Sequence, residues 1–317
     1  MDQLAILDRR RLRRKLTFWR VLALLVIVGL GFALYRLGGG EGGVVLPHVA
    51  QVKITGMIQD DTELLERLEE IAENDSAKAL VVSISSPGGT TYGGERIFEA
   101  IRAVAEKKPV VSDIRTLAAS AGYMIAAAGD TIVAGDNSIT GSIGVIFQYP
   151  QIAEMMDKLG ISLEEIKSAP LKAEPSPFHP PSEAAQQMIR SMIMDSYDWF
   201  VDLVAERRQL SREEALRLAD GSIFTGRQAL RARLIDTLGG EPEIRAYLES
   251  RGISQDLPIV EWKDSEDSSS LWFARAMANF VRLTGLSEVF GPGALRPWGG
   301  DKLFLDGLVS VWQVGKE

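Results

Sequence analysis

Hydrophobic positions divide this chain into three regimes. From 16 to 37, LTFWRVLALLVIVGLGFALYRL is apolar almost throughout, and Val21–Tyr35 carries no charge. From 49 to 263, short apolar runs alternate with segments of helical spacing. From Asp264 the chain turns polar (DSEDSSS), then amphipathic, then Gly/Pro-broken.

In the middle regime VAQVKITGMI (49–58) and ALVVSISS (79–86) predict strands. Between them, Leu64, Leu65, Leu68 and Ile71 share one face of a helix over Thr62–Asn74. After SPGG, GGERIFEAIRAVAEKK (93–108) predicts a helix, PVVSDI (109–114) a strand, Ser120–Ala128 a helix and DTIVAG (130–135) a strand. SLEEIKS (162–168) is a further candidate strand. A long helix is predicted over Ser182–Arg208, with Ser182 as its N-cap. Ser211–Asp220 and Gly226–Ile235 predict two more helices, and LPIVEWK (257–263) a late strand. Apolar strands alternating with helices imply an α/β fold with a largely parallel sheet covered on both faces.

The first regime predicts a membrane anchor. With its flanks it approaches the ~20 residues that span hydrocarbon. Arg20 reaches toward headgroups, and Trp19 and Tyr35 stand where interfacial aromatics belong. Seven Lys/Arg within residues 1–20, against Asp2 and Asp8, place the N-terminus in the cytoplasm and the body across the membrane. GGGEGG (38–43) reads as a tether with no small-x-small cleavage site, which favours an uncleaved anchor over a removable signal peptide. The expected organisation is a basic terminus (1–15), an anchor (16–37), a tether (38–48), a catalytic or binding domain (49–263) and a tail (264–317). Within the tail, LWFARAMANFVRLTGLSEVF (271–290) fits, in decreasing order, an oligomer contact, a membrane-surface helix or a weakly ordered end.

Composition narrows the chemistry. Hydrophobic residues at 46% support a sizeable core. The absence of Cys excludes disulfides, thiolate catalysis and Cys-based zinc sites. His48 and His179 are too few for a His-rich metal site and read as packing or surface residues. The formal net charge is −8 despite the basic terminus, so the body is acidic and a poor match for nucleic acid. No metal or cofactor is expected.

Four segments could carry chemistry. SISSPGGTTYGGE (83–95) ends a strand in a turn whose glycines Gly88 and Gly89 permit close approach of a ligand, and exposed amides there suit an oxyanion. No Gly-Lys-Ser/Thr ending follows, so a P-loop is not supported. In TLAASAGYMIAAAGD (116–130), Ser120 sits among small residues at a helix start, and the next amide, that of Ala121, could donate to a tetrahedral oxyanion. Taken alone, a plain N-cap serine is the commoner reading. SITGSIGVI (138–146) offers Thr140 and Ser142 on a Gly-flanked turn, as turn formers or as groups that orient a base. EEIKSAPLKAEPSPF (164–178) offers two amines. Lys167, in an alternating stretch, is expected to face solvent. Lys172, between Pro170 and Pro175, has a stiff apolar setting, but taken by itself a surface lysine in a Pro-rich loop is the commoner reading. A lysine at its ordinary ~10.4 is protonated at neutral pH, and only burial that disfavours the ammonium makes one a base.

Taken in order, SPGG, AASAGY, TGSIGVI, IKSAPLK, WFVDLVAERR and ADGSIFTGRQAL resemble the bacterial signal peptide peptidase A family over about Val49–Gly240. The resemblance implies a crotonase/Clp-protease-like fold of repeated β-β-α units behind one transmembrane helix. It implies a Ser–Lys serine endopeptidase without histidine. Ser120 would be the nucleophile, Lys172 the general base and Ser142 the residue that orients the lysine. Gly88 or Gly89 with Ala121 would form the oxyanion hole. Two positions depart from the family pattern: Ala121 stands where a glycine is usual, and Ala173 where an acidic residue is. The implied substrates are remnant signal peptides and other small apolar peptides, handled by a homo-oligomer on the extracytoplasmic side of a bacterial inner membrane. A related Ser–Lys protease of the SohB-like or stomatin-partner type, acting in membrane-protein quality control, is the nearest alternative. An acyl-CoA-handling crotonase relative fits less well, and a non-catalytic tethered scaffold is the non-enzyme reading.

Overall fold

The computed structural model describes residues 46–263 and 309–311, together with Trp19, Leu22 and Val26. Beyond those three residues, all helical, the expected anchor lies outside the described residues, as does the tail apart from 309–311. No helix among the described residues is long and apolar enough to cross a membrane.

Strand β1 (His48–Ile58) leads through α1 (Thr62–Glu73) to β2 (Ala77–Thr90), α2 (Thr91–Ala105) and β3 (Val110–Ala119). The short helix α3 (Ala121–Ala126) follows, then β4 (Thr131–Ala134), β5 (Ile139–Gly141), α4 (Ala153–Leu159) and the long α5 (Glu183–Arg207). Next come α6 (Arg212–Leu218), β6 (Ile223–Thr225), α7 (Gly226–Arg231), β7 (Thr237–Leu238), α8 (Glu241–Ser250), β8 (Ile259–Glu261) and β9 (Val309–Val311). Ser182 caps α5 as expected, and Asp61 caps α1 and Thr90 caps α2, which starts two residues before its expected Gly93; each cap accepts a backbone N–H in the first turn.

The sheet runs β6-β5-β3-β2-β1-β8, with β4 joining β3 to β7 and β9 added to β2. Every pairing is parallel except β5 with β6 and β2 with β9. Strand periodicity sorts the core onto two faces. Ala50, Val52, Ile54, Leu80, Val82 and Ile84 pack into the larger cluster with α1, α2, α3 and α5. Val49, Ala79, Val81, Val111 and Val133 turn the other way, onto Ile244 and Leu248 of α8. His48 is a packing residue, as expected. Its Nε2 accepts the Trp262 indole N–H at 3.0 Å while Nδ1 lies 2.9 Å from the Leu46 carbonyl. The Nδ1–H tautomer satisfies both contacts and ties β8 to the start of β1.

Two expectations change. Residues 162–168 form no strand; they are mostly exposed, and an isolated extended segment has no ladder to hold it. Alternation there reflects an exposed loop, not a sheet face. The strand of 109–114 continues to Ala119, so β3 delivers the chain directly to Ser120.

Candidate active site

β3 ends at Ala119, Ser120 follows it, and α3 begins at Ala121. Ser120 occupies that junction with φ 59° and ψ −121°, and its side chain makes no capping bond to the helix. The N-cap alternative therefore fails on geometry. The residue is 1% exposed. Its amide donates to the Gly141 carbonyl at 2.8 Å, and its carbonyl accepts from the amides of Tyr123 and Met124. The Ala121 and Gly122 amides, first in the helix, have no intrahelical acceptor.

Neighbours fix this corner. β5 pairs with β3 from Leu117 to Ala119, and Thr140 Oγ1 donates to the Ala118 carbonyl at 2.7 Å. That bond clamps the TGS turn beside the serine. Ser142 is buried, at φ 51°, and its amide donates to the Ser222 carbonyl at 2.7 Å. The Tyr123 phenol is fully buried and donates to the Leu234 carbonyl at 2.8 Å; burial pushes its pKa up. That contact holds α3 against the chain after α7.

The SPGG turn lies alongside. Ser86 Oγ donates to the Gly56 carbonyl at 2.7 Å and accepts the Gly88 amide at 3.1 Å, which fastens the turn to β1. The Gly88 N–H is thus engaged within the turn. Gly88 has φ 111°, a conformation that a side chain disfavours. At Gly89 a Cβ would fall 1.8 Å from the Ile58 carbonyl oxygen, so only glycine lets β1 and β2 stay paired here. Gly122 approaches the Ser86 carbonyl closely enough that a Cβ would sit 3.0 Å from it, which brings the Ser120 corner against the end of SPGG.

Lys172 stands elsewhere. It is exposed, on a turn closed by its own amide to the Ala169 carbonyl at 3.1 Å. Its amine has no hydrogen-bond or ion-pair partner among the described residues, so within one chain it is not bonded to Ser120 or Ser142. The apolar cover expected around it is not supplied by the described residues of its own chain. Lys167 differs from its expected solvent-facing role. Its amine pairs with Glu165 at 2.6 Å and Glu174 at 2.8 Å. The hydrogen bond from Lys167 holds the Glu174 carboxyl below the usual carboxylate range. His179 lies 3.5 Å from the same Glu174 oxygen.

Backbone strain marks the same positions. Five non-glycine residues have positive φ: Ser120, Ser142, Ala173, Gln209 and Arg233. Gln209 and Arg233 each follow a helix C-cap, where a left-handed residue commonly ends a helix. The other three have no such role, and they are the candidate nucleophile, the candidate orienting serine and the neighbour of the candidate base. Sequence alone could not reveal this, because L-residues give no sign of forced positive φ. Among the described residues no cluster of His, Asp and Glu suits a metal ion.

Residues 102–252 match peptidase family S49, and residues 45–138 match the Clp protease family. The "Putative signal peptide peptidase SppA" of Enterococcus faecium is 30% identical over 258 residues, covering 77% of this chain and 75% of that protein. The "Putative protease slr0021" of Synechocystis sp. is 37% identical over 226 residues, covering 70% of this chain and 80% of that protein. The "Putative protease MJ0651" of Methanocaldococcus jannaschii is 35% identical over 204 residues, covering 64% of this chain and 66% of that protein. Fold and matches together define an α/β serine peptidase with a Clp-like sheet. The chain belongs to peptidase family S49, among the relatives named signal peptide peptidase A.

Proposed function

We propose that this peptidase is a membrane-anchored endopeptidase in which Ser120 attacks a peptide carbonyl and Lys172 moves the proton. The observation that carries the proposal is Ser120 itself: buried, strained and uncapped at the end of β3, with the Ala121 amide next in the chain. Strain of ~1–3 kcal/mol persists at such a residue only where its surroundings impose it.

The neutral Lys172 amine takes the Ser120 hydroxyl proton as Oγ bonds to the substrate carbonyl carbon. The oxyanion is received by the Ala121 amide and by Gly89, with the bonded Gly88 setting the turn. Collapse breaks the C–N bond, and the lysine gives its proton to the leaving amine. Water, deprotonated by the same amine, then releases the acyl group. Ser142 holds the lysine side chain in line.

Lys172 needs a dry setting, and we place its source in a second copy of the chain. The segment that bears it is unusually apolar on its surface: Met155, Leu159, Ile161, Leu163, Ile166 and Phe178 are all exposed. Met192 and Met194 on α5 are exposed as well. Apolar exposure of this kind marks association. In the homo-oligomer, Lys172 of one copy is covered and faces Ser120 of its neighbour. Residues 16–37 anchor the assembly in the cytoplasmic membrane, with the domain on the extracytoplasmic side. Trp19, Leu22 and Val26, spaced along one helical face with exposed apolar side chains, support that placement. The substrates are remnant signal peptides and similar small apolar segments, and no cofactor takes part.

The test is hydrolysis of an apolar fluorogenic peptide. Ser120→Ala and Lys172→Ala are each expected to lower kcat by about a thousandfold or more, as loss of a nucleophile or its base does in related chemistry, with an unchanged melting temperature. Full activity in either variant would sink the reading and favour a tethered scaffold.

A further inference from the structure

We infer that Lys167, paired with Glu174 and Glu165, is an ionic clamp that closes the loop carrying Lys172 and so positions the base. Lys167 is then a positioning residue and not a second base. This rests on the reading of Lys172 as the proton carrier.

Little else holds that loop. Residues 162–174 lie in no helix or strand. Among the described residues, their only backbone hydrogen bonds are two turns internal to the loop, Lys172 to Ala169 at 3.1 Å and Glu174 to Leu171 at 3.4 Å. The chain just beyond is anchored. Ser176 is buried, its carbonyl accepts the Gln151 side-chain amide at 2.8 Å, and the Pro177 carbonyl accepts the Ile152 amide at 2.8 Å. The stretch leading into Lys172 has no main-chain tie to that anchored side.

Lys167 supplies the tie. Its ammonium donates to Glu174 Oε1 at 2.8 Å and lies 2.6 Å from Glu165 Oε2. His179 Nε2 sits 3.5 Å and 3.7 Å from the same two oxygens. The Lys167–Glu174 contact therefore closes the chain across the turn that presents Lys172. The Glu174 side chain is 5% exposed and that of Lys167 20%, so solvent screens the pair less than one in open water. The second Glu174 oxygen is shut off from water and has no hydrogen-bond partner among the described residues. A carboxylate so placed depends on Lys167 for charge balance, and removal of the ammonium drives it toward solvent. Between Lys172 and Glu174 stands Ala173 at φ 63°, a left-handed turn that a β-carbon disfavours. Such a conformation persists where the flanks impose it, and here the flanks are the clamp and the Ser176 anchor. Hydrogen bonds to Glu165 and Glu174 also raise the Lys167 pKa. They keep it an ammonium at neutral pH, unfit to take the Ser120 proton. The two amines of the loop thus divide the work: one stays charged and holds, the other moves the proton.

The experiment uses the full chain carrying Lys167→Met, which keeps the side-chain length and removes the charge. Hydrogen exchange of the peptide spanning 168–176 reads the loop without reference to activity. Faster exchange is expected, with an unchanged melting temperature. For an apolar fluorogenic peptide, kcat is expected to fall about tenfold or more with KM within about twofold, since ~1 Å of misplacement at a reacting group suffices for a ~100-fold loss. Lys167→Arg keeps a cation between the carboxylates and is expected to retain most of kcat. Lys167→Met combined with Glu174→Gln is expected to recover part of it, because no charge is then left shielded and unpaired. Unchanged exchange or unchanged kcat in Lys167→Met overturns the inference, as does a Lys167→Arg variant as slow as Lys167→Met. Full activity in Lys172→Ala is a different failure. It ends the reading of Lys172 as base and the positioning role with it, while exchange still reports whether the clamp closes the loop.

Discussion

At the scale of single residues, Ser120 shows how much a short motif can and cannot convey. AASAGY gives a serine walled by small side chains, and those residues are visible in the sequence. That Ser120 is uncapped, strained and fixed through its amide to Gly141 follows from β5 docking beside β3, a contact between segments distant along the chain. Lys172 was legible as a basic residue in a proline-bracketed loop, but not its exposure, because no local pattern reports what covers a loop. Lys167 misled for the opposite reason: its partners Glu165 and Glu174 converge only when the loop folds back.

Asp113 was not anticipated at all. It points to the α8 face beside Ser83 and Arg115, and burial pushes its carboxyl up, against the pull of Arg115. Such a group binds more protons folded than unfolded, so the folded state loses stability as pH rises from the usual carboxylate range through the raised value. Asp113→Asn removes that slope. The variant is expected to melt near the wild type at pH 4 and above it at pH 8, by an increment that grows with pH. A melting difference that shrinks with rising pH would contradict the assignment.

Among elements, those with a full period of apolar residues were legible: β1, α1, α2 and α5 appear within a few residues of their expected bounds. Short pieces were not. β5, β6 and β7 are two or three residues long and exist because a neighbouring strand offers an edge. α8 begins after Gly239-Gly240, with Glu243 accepting the Gly240 amide at 2.7 Å. The link between α5 and α3 also escapes sequence reading. Arg207 Nε donates to the Ala127 carbonyl at 2.8 Å and Nη2 to the Gly129 carbonyl at 2.9 Å, closing the C-terminal end of α3, the helix that follows Ser120. Arg207→Ala leaves those carbonyls without these partners. It is expected to cost about 1–3 kcal/mol in urea unfolding, the range for a buried polar group left unpaired. Because α3 carries the Ala121 amide, kcat is expected to fall as well. Full stability in the variant would show that α3 is held by its apolar contacts alone.

For the molecule as a whole, the alternation of strands and helices foretold the parallel sheet and its two covered faces, and the ordered motifs foretold the family. The proposed interface between copies leaves no signal in the sequence, since an exposed apolar side chain in a sequence looks like any other. The proposed shared site makes a specific demand. Ser120→Ala subunits and Lys172→Ala subunits, each inactive alone, are expected to regain part of the wild-type hydrolysis when co-assembled, because some interfaces then pair an intact serine with an intact lysine. Co-assembled mixtures that stay inactive would place both groups of each site in one chain.

Covalent labelling by a serine-acylating probe tests the central claim most directly. Wild-type protein is expected to carry one adduct per reactive chain, located by mass spectrometry at Ser120, with labelling lost in Ser120→Ala and strongly slowed in Lys172→Ala. Equal labelling of the wild type and Ser120→Ala would contradict the account.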